Sequence, residues 1–196
     1  MIPILLLAAG ASRRMGGRDK LMEEIAGEPL LRRQARAALA AGLGPVLVAL
    51  PATDHPRATA LRDLAVTPVA VPEAEEGMGA SIRTGIAALP PGSRAVMILP
   101  ADMPELTAED LRQVAAQMEG SPLPILRGAS GDRPGHPVIF PADLFPRLET
   151  IGGDRGASPV IAACMERVRL VPLEGTRALT DLDTPEAWQA YRRTHP

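Results

Sequence analysis

The stretch Ile4-Leu-Leu-Leu-Ala-Ala-Gly10-Ala-Ser-Arg-Arg14-Met-Gly-Gly17-Arg-Asp-Lys20 opens apolar and then switches to small residues, glycine and charge. A short apolar run without alternation, ending at glycine, predicts a strand buried on both faces, hence a parallel sheet, feeding a loop. Gly10, Gly16 and Gly17 carry no Cβ, so the loop's backbone N–H groups can come close to an anion. Arg13, Arg14, Arg18 and Lys20 place positive charge on the same segment. Strand, glycine loop and cations together predict a phosphate site at the end of the first strand.

Outward from this stretch the chain alternates. Residues 30–41 are rich in helix formers and stop at Gly42 and Gly44, and 46–50 form an apolar strand ended by Pro51. A helix is expected from Pro56 to about Leu64 and a strand over 66–71. An acidic loop follows over 72–79, then a helix over 81–89 and an apolar strand over 95–99. Thr107 with Asp110 three residues later is a capping-box-like start for a helix running to Met118. This order predicts an α/β fold in three layers, α/β/α, around a mostly parallel, Rossmann-like sheet. From Ser121 the pattern loosens into shorter strands (124–127, 136–140 and 168–173) and a closing helix near 185–193, read as a small antiparallel extension. Neither a repeat nor a linker interrupts the sequence, which predicts a single domain over 1–196. In open parallel sheets ligands sit at the carboxyl ends of the strands, which gathers the loops after the first, third and fourth strands into one crevice.

Composition narrows the function classes. A chain of 196 residues, 46% hydrophobic, can bury a sizeable core, and with aromatics at 2% that core must be aliphatic with help from eight methionines. A net charge of −2 leaves no basic excess to drive counterion release, which speaks against nucleic acid as a partner. Cys164 is alone, so no disulfide framework or cysteine metal cluster is expected, and it reads as a small buried hydrophobe. The N-terminal apolar run lacks a basic leader and no stretch approaches membrane-spanning length, so no membrane association and a cytoplasmic location are expected. Of the 21 basic residues only Lys20 is lysine. A compact ammonium on a flexible stem can follow a moving phosphate where a guanidinium clamps in a fixed fork, so Lys20 reads as chemically required.

The loop fits neither common phosphate motif. Gly10 is followed at the Walker spacing by Met15-Gly16 without Lys-Ser/Thr, and Ala11-Ser12 breaks the dinucleotide glycine pattern. What stands here, Leu-Ala-Ala-Gly-x-Ser-x-Arg-Met-Gly-x-x-x-Lys, resembles the nucleotide loop of the MobA-like NTP transferases, among them the molybdenum cofactor guanylyl- and cytidylyltransferases. Five later segments resemble the same family in order. They are Glu76-Gly-Met-Gly79-Ala-Ser81-Ile-Arg83, Pro100-Ala-Asp102-Met-Pro104, Gly135-His136-Pro137-Val138 with Gly152-Gly153-Asp154-Arg155-Gly156-Ala157, and Asp181-Leu-Asp183-Thr-Pro-Glu186.

The resemblance implies a nucleotidyltransferase fold with a nucleotide-binding half, 1–120, and an acceptor-binding half, 121–196. It implies nucleotide contacts at Leu7, Ala8, Ala9, Gly10, Ser12, Gly16, Lys20, Gly79, Ser81 and Arg83, with Ser81 also capping its helix. Arg14, Lys20 and Asp102 would be catalytic. Magnesium (Mg2+) would sit on Asp102, with Asp181 favoured over Asp183 as second ligand. His136, Gly153 and Asp154 would face the acceptor. The implied reaction joins a nucleoside monophosphate to the phosphate of molybdopterin, the molybdenum cofactor, with a molybdoenzyme or its maturation chaperone as recipient. Ala8-Ala9-Gly10 resembles the cytidylyl members and points to CTP, where guanylyl members carry Leu-Ala-Gly-Gly. A sugar- or polyol-phosphate nucleotidyltransferase is the alternative within enzymes, and a non-catalytic nucleotide-binding maturation factor the alternative outside them.

Overall fold

The computed structural model describes residues 1–195. In chain order the elements are β1 (Ile4–Leu7), β2 (Glu24–Ile25), β3 (Glu28–Pro29), α1 (Leu30–Ala41), β4 (Val46–Leu50), α2 (Pro56–Thr59), β5 (Thr67–Ala70), α3 (Met78–Ala87), β6 (Ala95–Pro100), α4 (Ala108–Ala116), β7 (Ile125–Ser130), β8 (Arg133–Pro141), α5 (Phe145–Leu148), α6 (Ser158–Ala162), β9 (Val168–Pro172) and α7 (Pro185–Thr194), with four short 3-10 turns between them. One seven-stranded sheet runs β5-β4-β1-β6-β8-β7-β9, and β2 and β3 form a separate two-stranded ribbon.

β1 is central. Leu5 pairs with Leu47 of β4 on one side and with Ile98 of β6 on the other, both in parallel. Its alternate residues go to opposite faces, as the pleat requires. Ile4 and Leu6 join α1 and α4 in one cluster, through Leu30, Leu31, Ala35, Leu111 and Val114. Leu5 joins α3 in the other, through Ala80, Ile82 and Ile86. Both faces are therefore covered, which is why the strand is apolar at every position. Each such side chain contributes about 1.5–3 kcal/mol by burial. α3 lies so close that a Cβ on Gly85 would stand 2.3 Å from Leu5 Cδ2.

The extension turns on β8. It pairs antiparallel with both β6 and β7, while β7 and β9 run parallel to each other, so β8 is the one reversed strand of the seven. Val138 stands opposite Ile98, which brings the first residues of β8 to the carboxyl edge of β6.

Several boundaries differ from the sequence reading. α3 starts at Met78, and Gly77 at φ 106 caps it, so Ser81 lies inside the helix and is not its cap. Only glycine reaches that backbone conformation easily, and the chain turns there without help from a side chain. α2 closes after Thr59 and the chain to Asp63 continues in turns. α4 ends at Ala116. Its capping box is present in full, with Thr107 Oγ1 accepting the Asp110 N–H and Asp110 accepting the Thr107 N–H. Among the described residues no helix is long and apolar enough to cross a membrane.

Candidate active site

The loop after β1 is held mostly by its own backbone and by neighbours outside the site. The Ala8 N–H donates to Ala49 O at 2.9 Å and its carbonyl accepts from Arg57, so both polar groups of Ala8 are used within the protein. Ser12 sits at φ 52 and starts the turn Arg13–Met15, which Gly16 closes at φ 61. Gly16 therefore shapes the loop by conformation. Gly10 needs no such conformation, and an added Cβ there would meet nothing within 4 Å. Nothing in the packing requires glycine there, and the space it leaves opens into the cleft.

Lys20 stands at the centre of a charge cluster. Its ammonium donates to Asp102 Oδ2 at 2.5 Å and also to Asp183 Oδ1. Arg14 Nη2 lies 2.7 Å from Asp183 Oδ2. The Lys20 side chain is only 14% exposed. Burial would lower its pKa, but Asp102 and Asp183 outweigh that and hold it above the usual lysine value, so the ammonium stays charged. Burial likewise opposes charge on Asp183, and Lys20 with Arg14 brings its pKa below the ordinary carboxylate value. Asp181 moves the other way, raised by burial first and then by Asp102 and Asp183.

One oxygen each from Asp102, Asp181 and Asp183 lie within 4.8 Å of one another. Asp102 leaves the end of β6, and the Leu182 N–H donates to its carbonyl at 3.0 Å, which ties the two acidic loops together. Convergent carboxylate oxygens are the donor set that a hard divalent cation takes, so the residues present fit such an ion.

Arg14, Lys20, Asp102 and Asp183 line a cleft of about 470 Å³ with Leu7, Ala9, Gly10, Ser12, Ser81 and Asp154. It continues behind the loop into a second cleft of about 420 Å³ that reaches Pro51, His55 and Arg57. Together they match the size that small-molecule sites occupy. A larger cleft of about 580 Å³ lies on the far face between α1, α4 and α7. There Arg177 is paired with Asp110 and Glu174, and Glu105 accepts from Thr176 and Thr180.

Other expected site residues stand elsewhere. Gly79 packs against the loop 152–154: its N–H donates to Gly153 O at 2.9 Å, and a Cβ would fall 2.7 Å from the Gly152 backbone. Gly79→Ala is expected to destabilise the fold by about 1–3 kcal/mol, read as a lower denaturant midpoint. Arg83 donates to Ile151 O and pairs with Glu76, holding the same loop from outside the cleft.

His136 lies in β8, half-buried, with Nδ1 enclosed and unpartnered. Burial first and the charge of Arg127 second push its pKa down to about 4. The folded chain thus resists a proton that the unfolded chain accepts near pH 6.5. The neutral imidazole's contribution is complete above that pH and is lost as pH falls toward 4. Unfolding curves across this window should show a loss on the order of 1–3 kcal/mol that His136→Gln removes.

Sequence reasoning missed Asp19 and Arg57, and gave Asp181 precedence over Asp183. No local signal joins Arg57 to Asp19, because their contact spans 38 positions.

Comparison with known proteins agrees with this geometry. A family model described as the MobA-like NTP transferase domain matches residues 4–169. A probable molybdenum cofactor guanylyltransferase from Opitutus terrae is 29% identical, over 97% of this chain and 94% of its own length. Nicotine blue oxidoreductase from Paenarthrobacter nicotinovorans is 27% identical over 96% and 94%. The crystal structure of Rv0371c from Mycobacterium tuberculosis H37Rv superposes with a TM-score of 0.82 at 26% identity, covering 99% of this chain and 96% of that one. The relatives' names differ in activity, but the domain match spans the loop, the acidic cluster's Asp102 and the reversed strand alike. The chain belongs to the MobA-like NTP transferase family.

Proposed function

We propose that the protein transfers CMP from CTP to the phosphate of molybdopterin, the molybdenum cofactor, and releases pyrophosphate. The observation that carries this reading is Lys20, charged and nearly buried between Asp102 and Asp183 at the mouth of the Gly10 loop. The segment 1–120 holds the nucleotide and 121–196 the acceptor. Leu7, Ala9, Gly10, Ser12 and Ser81 line the nucleotide's cleft, and the open space at Gly10 lets backbone N–H groups reach its phosphates.

The acceptor's phosphate monoester is already anionic at neutral pH, so no general base is needed. One of its oxygens bonds to the α-phosphorus, the bond from that phosphorus to the bridging oxygen breaks, and pyrophosphate leaves with the electron pair. The residues align the two phosphates and hold the charge that builds on the leaving group. Lys20 and Arg14 supply that charge from one side. Asp102, with Asp183 and Asp181, would hold Mg2+, which supplies Lewis-acid neutralisation of the triphosphate. Asp154 lines the cleft at its acceptor end, beside Gly153; His136 supports that end from within the sheet.

Ala9 supports CTP, since its methyl stands in the cleft where the guanylyl members of the family carry glycine. The relative from Opitutus terrae bears the guanylyl name, so the base is the point that experiment decides. Incubation with magnesium, molybdopterin and each nucleoside triphosphate in turn should release pyrophosphate with CTP. Release with GTP alone would keep the transfer and reject the base. Turnover only with a sugar phosphate would move the acceptor, and binding without turnover would favour a maturation factor.

A further inference from the structure

Arg57 is a buried guanidinium, 2% exposed, that the transfer reaction above does not use. It leaves the first turn of α2, where His55 Nδ1 accepts its backbone N–H at 3.2 Å. From there it reaches three points on the nucleotide loop. Nη1 donates to Ala8 O at 2.5 Å, at the end of β1. Nη2 donates to Ser12 Oγ at 3.2 Å, at the crest of the loop. Nε and Nη2 donate to the two Asp19 oxygens at 2.7 and 2.6 Å, beside Lys20.

The network then closes on Lys20 itself. Ser12 Oγ accepts the Lys20 N–H at 3.2 Å, and Asp19 Oδ1 accepts the Leu21 N–H at 3.0 Å. Burial opposes charge on Asp19, yet the hydrogen bonds and charge of Arg57 keep its pKa below the ordinary value. A buried ion pair is a poor source of net stability, because desolvation of both charges offsets most of the attraction. What the pair supplies is geometry: a planar fork fixed in two directions at once.

We propose that Arg57 and Asp19 form a positioning brace that fixes the span from Ala8 to Lys20 and thereby sets where the Lys20 ammonium stands relative to Asp102 and Asp183. The catalytic part of this rests on the nucleotidyl-transfer reading; the geometric part does not. Arg57 and Asp19 act through the loop and touch neither substrate. A lysine at position 57 keeps the charge but has one ammonium on a shorter reach, and cannot bond to Ala8, Ser12 and both Asp19 oxygens together.

The test uses the full chain with Arg57→Lys, Asp19→Asn and the double variant. Amide hydrogen exchange is followed by mass spectrometry and transfer is followed by pyrophosphate release. Exchange over residues 10–20 should rise about tenfold or more in each single variant while β1, β4 and β6 keep their protection. kcat should fall about 30- to 100-fold with KM for the nucleotide changed less than about fivefold, because alignment of Lys20 is lost while the loop still binds. The double variant should be no worse than the worse single variant within about threefold, as two ends of one brace require. Unchanged exchange over 10–20 overturns the brace, as does a kcat that stays at the wild-type value with the loop loosened. Exchange that rises throughout the sheet as well as the loop would make Arg57 a general fold residue and also overturn it. If Arg57→Lys fails to fold, Asp19→Asn carries the same expectations. A wild type that transfers nothing, with a loop that loosens as expected, would uphold the geometry and reject the transferase reading.

Discussion

Lys20→Ala is expected to lower kcat/KM for nucleotidyl transfer by about a thousandfold, the upper range for loss of one preorganised cation from a site that stabilises developing charge. The loss should fall chiefly on kcat. The loop from Leu7 to Gly16 does not depend on the Lys20 side chain, so nucleotide binding should weaken less than about tenfold. Folding should survive, because the neighbouring Leu21 is in the core and the Lys20 ammonium bonds only to the two carboxylates. Lys20→Arg is the sharper variant. It preserves charge, yet the wider fork does not fit a site where the ammonium is 14% exposed and flanked by acids on two sides. A loss of about tenfold or more in Lys20→Arg would show that the site needs a point charge and would account for the one lysine in a chain that otherwise uses arginine. Steady-state kinetics with the melting temperature as a folding control decides both.

Asp102→Asn should reduce turnover by a similar factor, about a thousandfold, and raise the magnesium concentration needed for half-maximal rate. The substitution keeps the shape and removes the charge that Lys20 meets at 2.5 Å. Asp183→Asn should follow closely, since Asp183 binds both Lys20 and Arg14. Asp181→Asn should cost less, about tenfold, because Asp181 is the most exposed of the three acids and makes no ion pair with either cation. The order Asp102, Asp183, Asp181 is the reverse of the sequence preference for the last two, and a magnesium titration of the three variants tests it.

The contrast between those two acids shows what a sequence can and cannot carry. β1 and β6 were legible because a strand buried on both faces must be apolar at each position, and 46–50 was legible for the same reason. Lys20 and Asp102 were legible because both sit at carboxyl ends or loops that the parallel topology gathers. Asp181 and Asp183 are separated by one residue, and only the tertiary anchoring of Leu182, buried at 1% and bonded to Asp102 O, decides which carboxylate meets the cations. The start of α3 was hidden because it depends on Gly77 adopting φ 106 against Asp154, a contact made across the fold. His136 reads by resemblance as an acceptor contact; β8 leaves it half-buried with Nδ1 enclosed. α5 and α6, of four and five residues with proline in the first turn, offered too short a period to register. Arg57 looked like any solvated arginine, and its brace exists only once β1, α2 and the loop have met.

Transfer of an α-phosphate label separates nucleotidyl transfer from nucleotide binding. With CTP labelled at the α-phosphate, magnesium and molybdopterin, label should appear on the pterin cofactor in step with one pyrophosphate released per transfer. The rate of labelling should fall about a thousandfold in Asp102→Asn. Label that stays on the free nucleotide with each of the four triphosphates, although the protein binds them, would contradict nucleotidyl transfer.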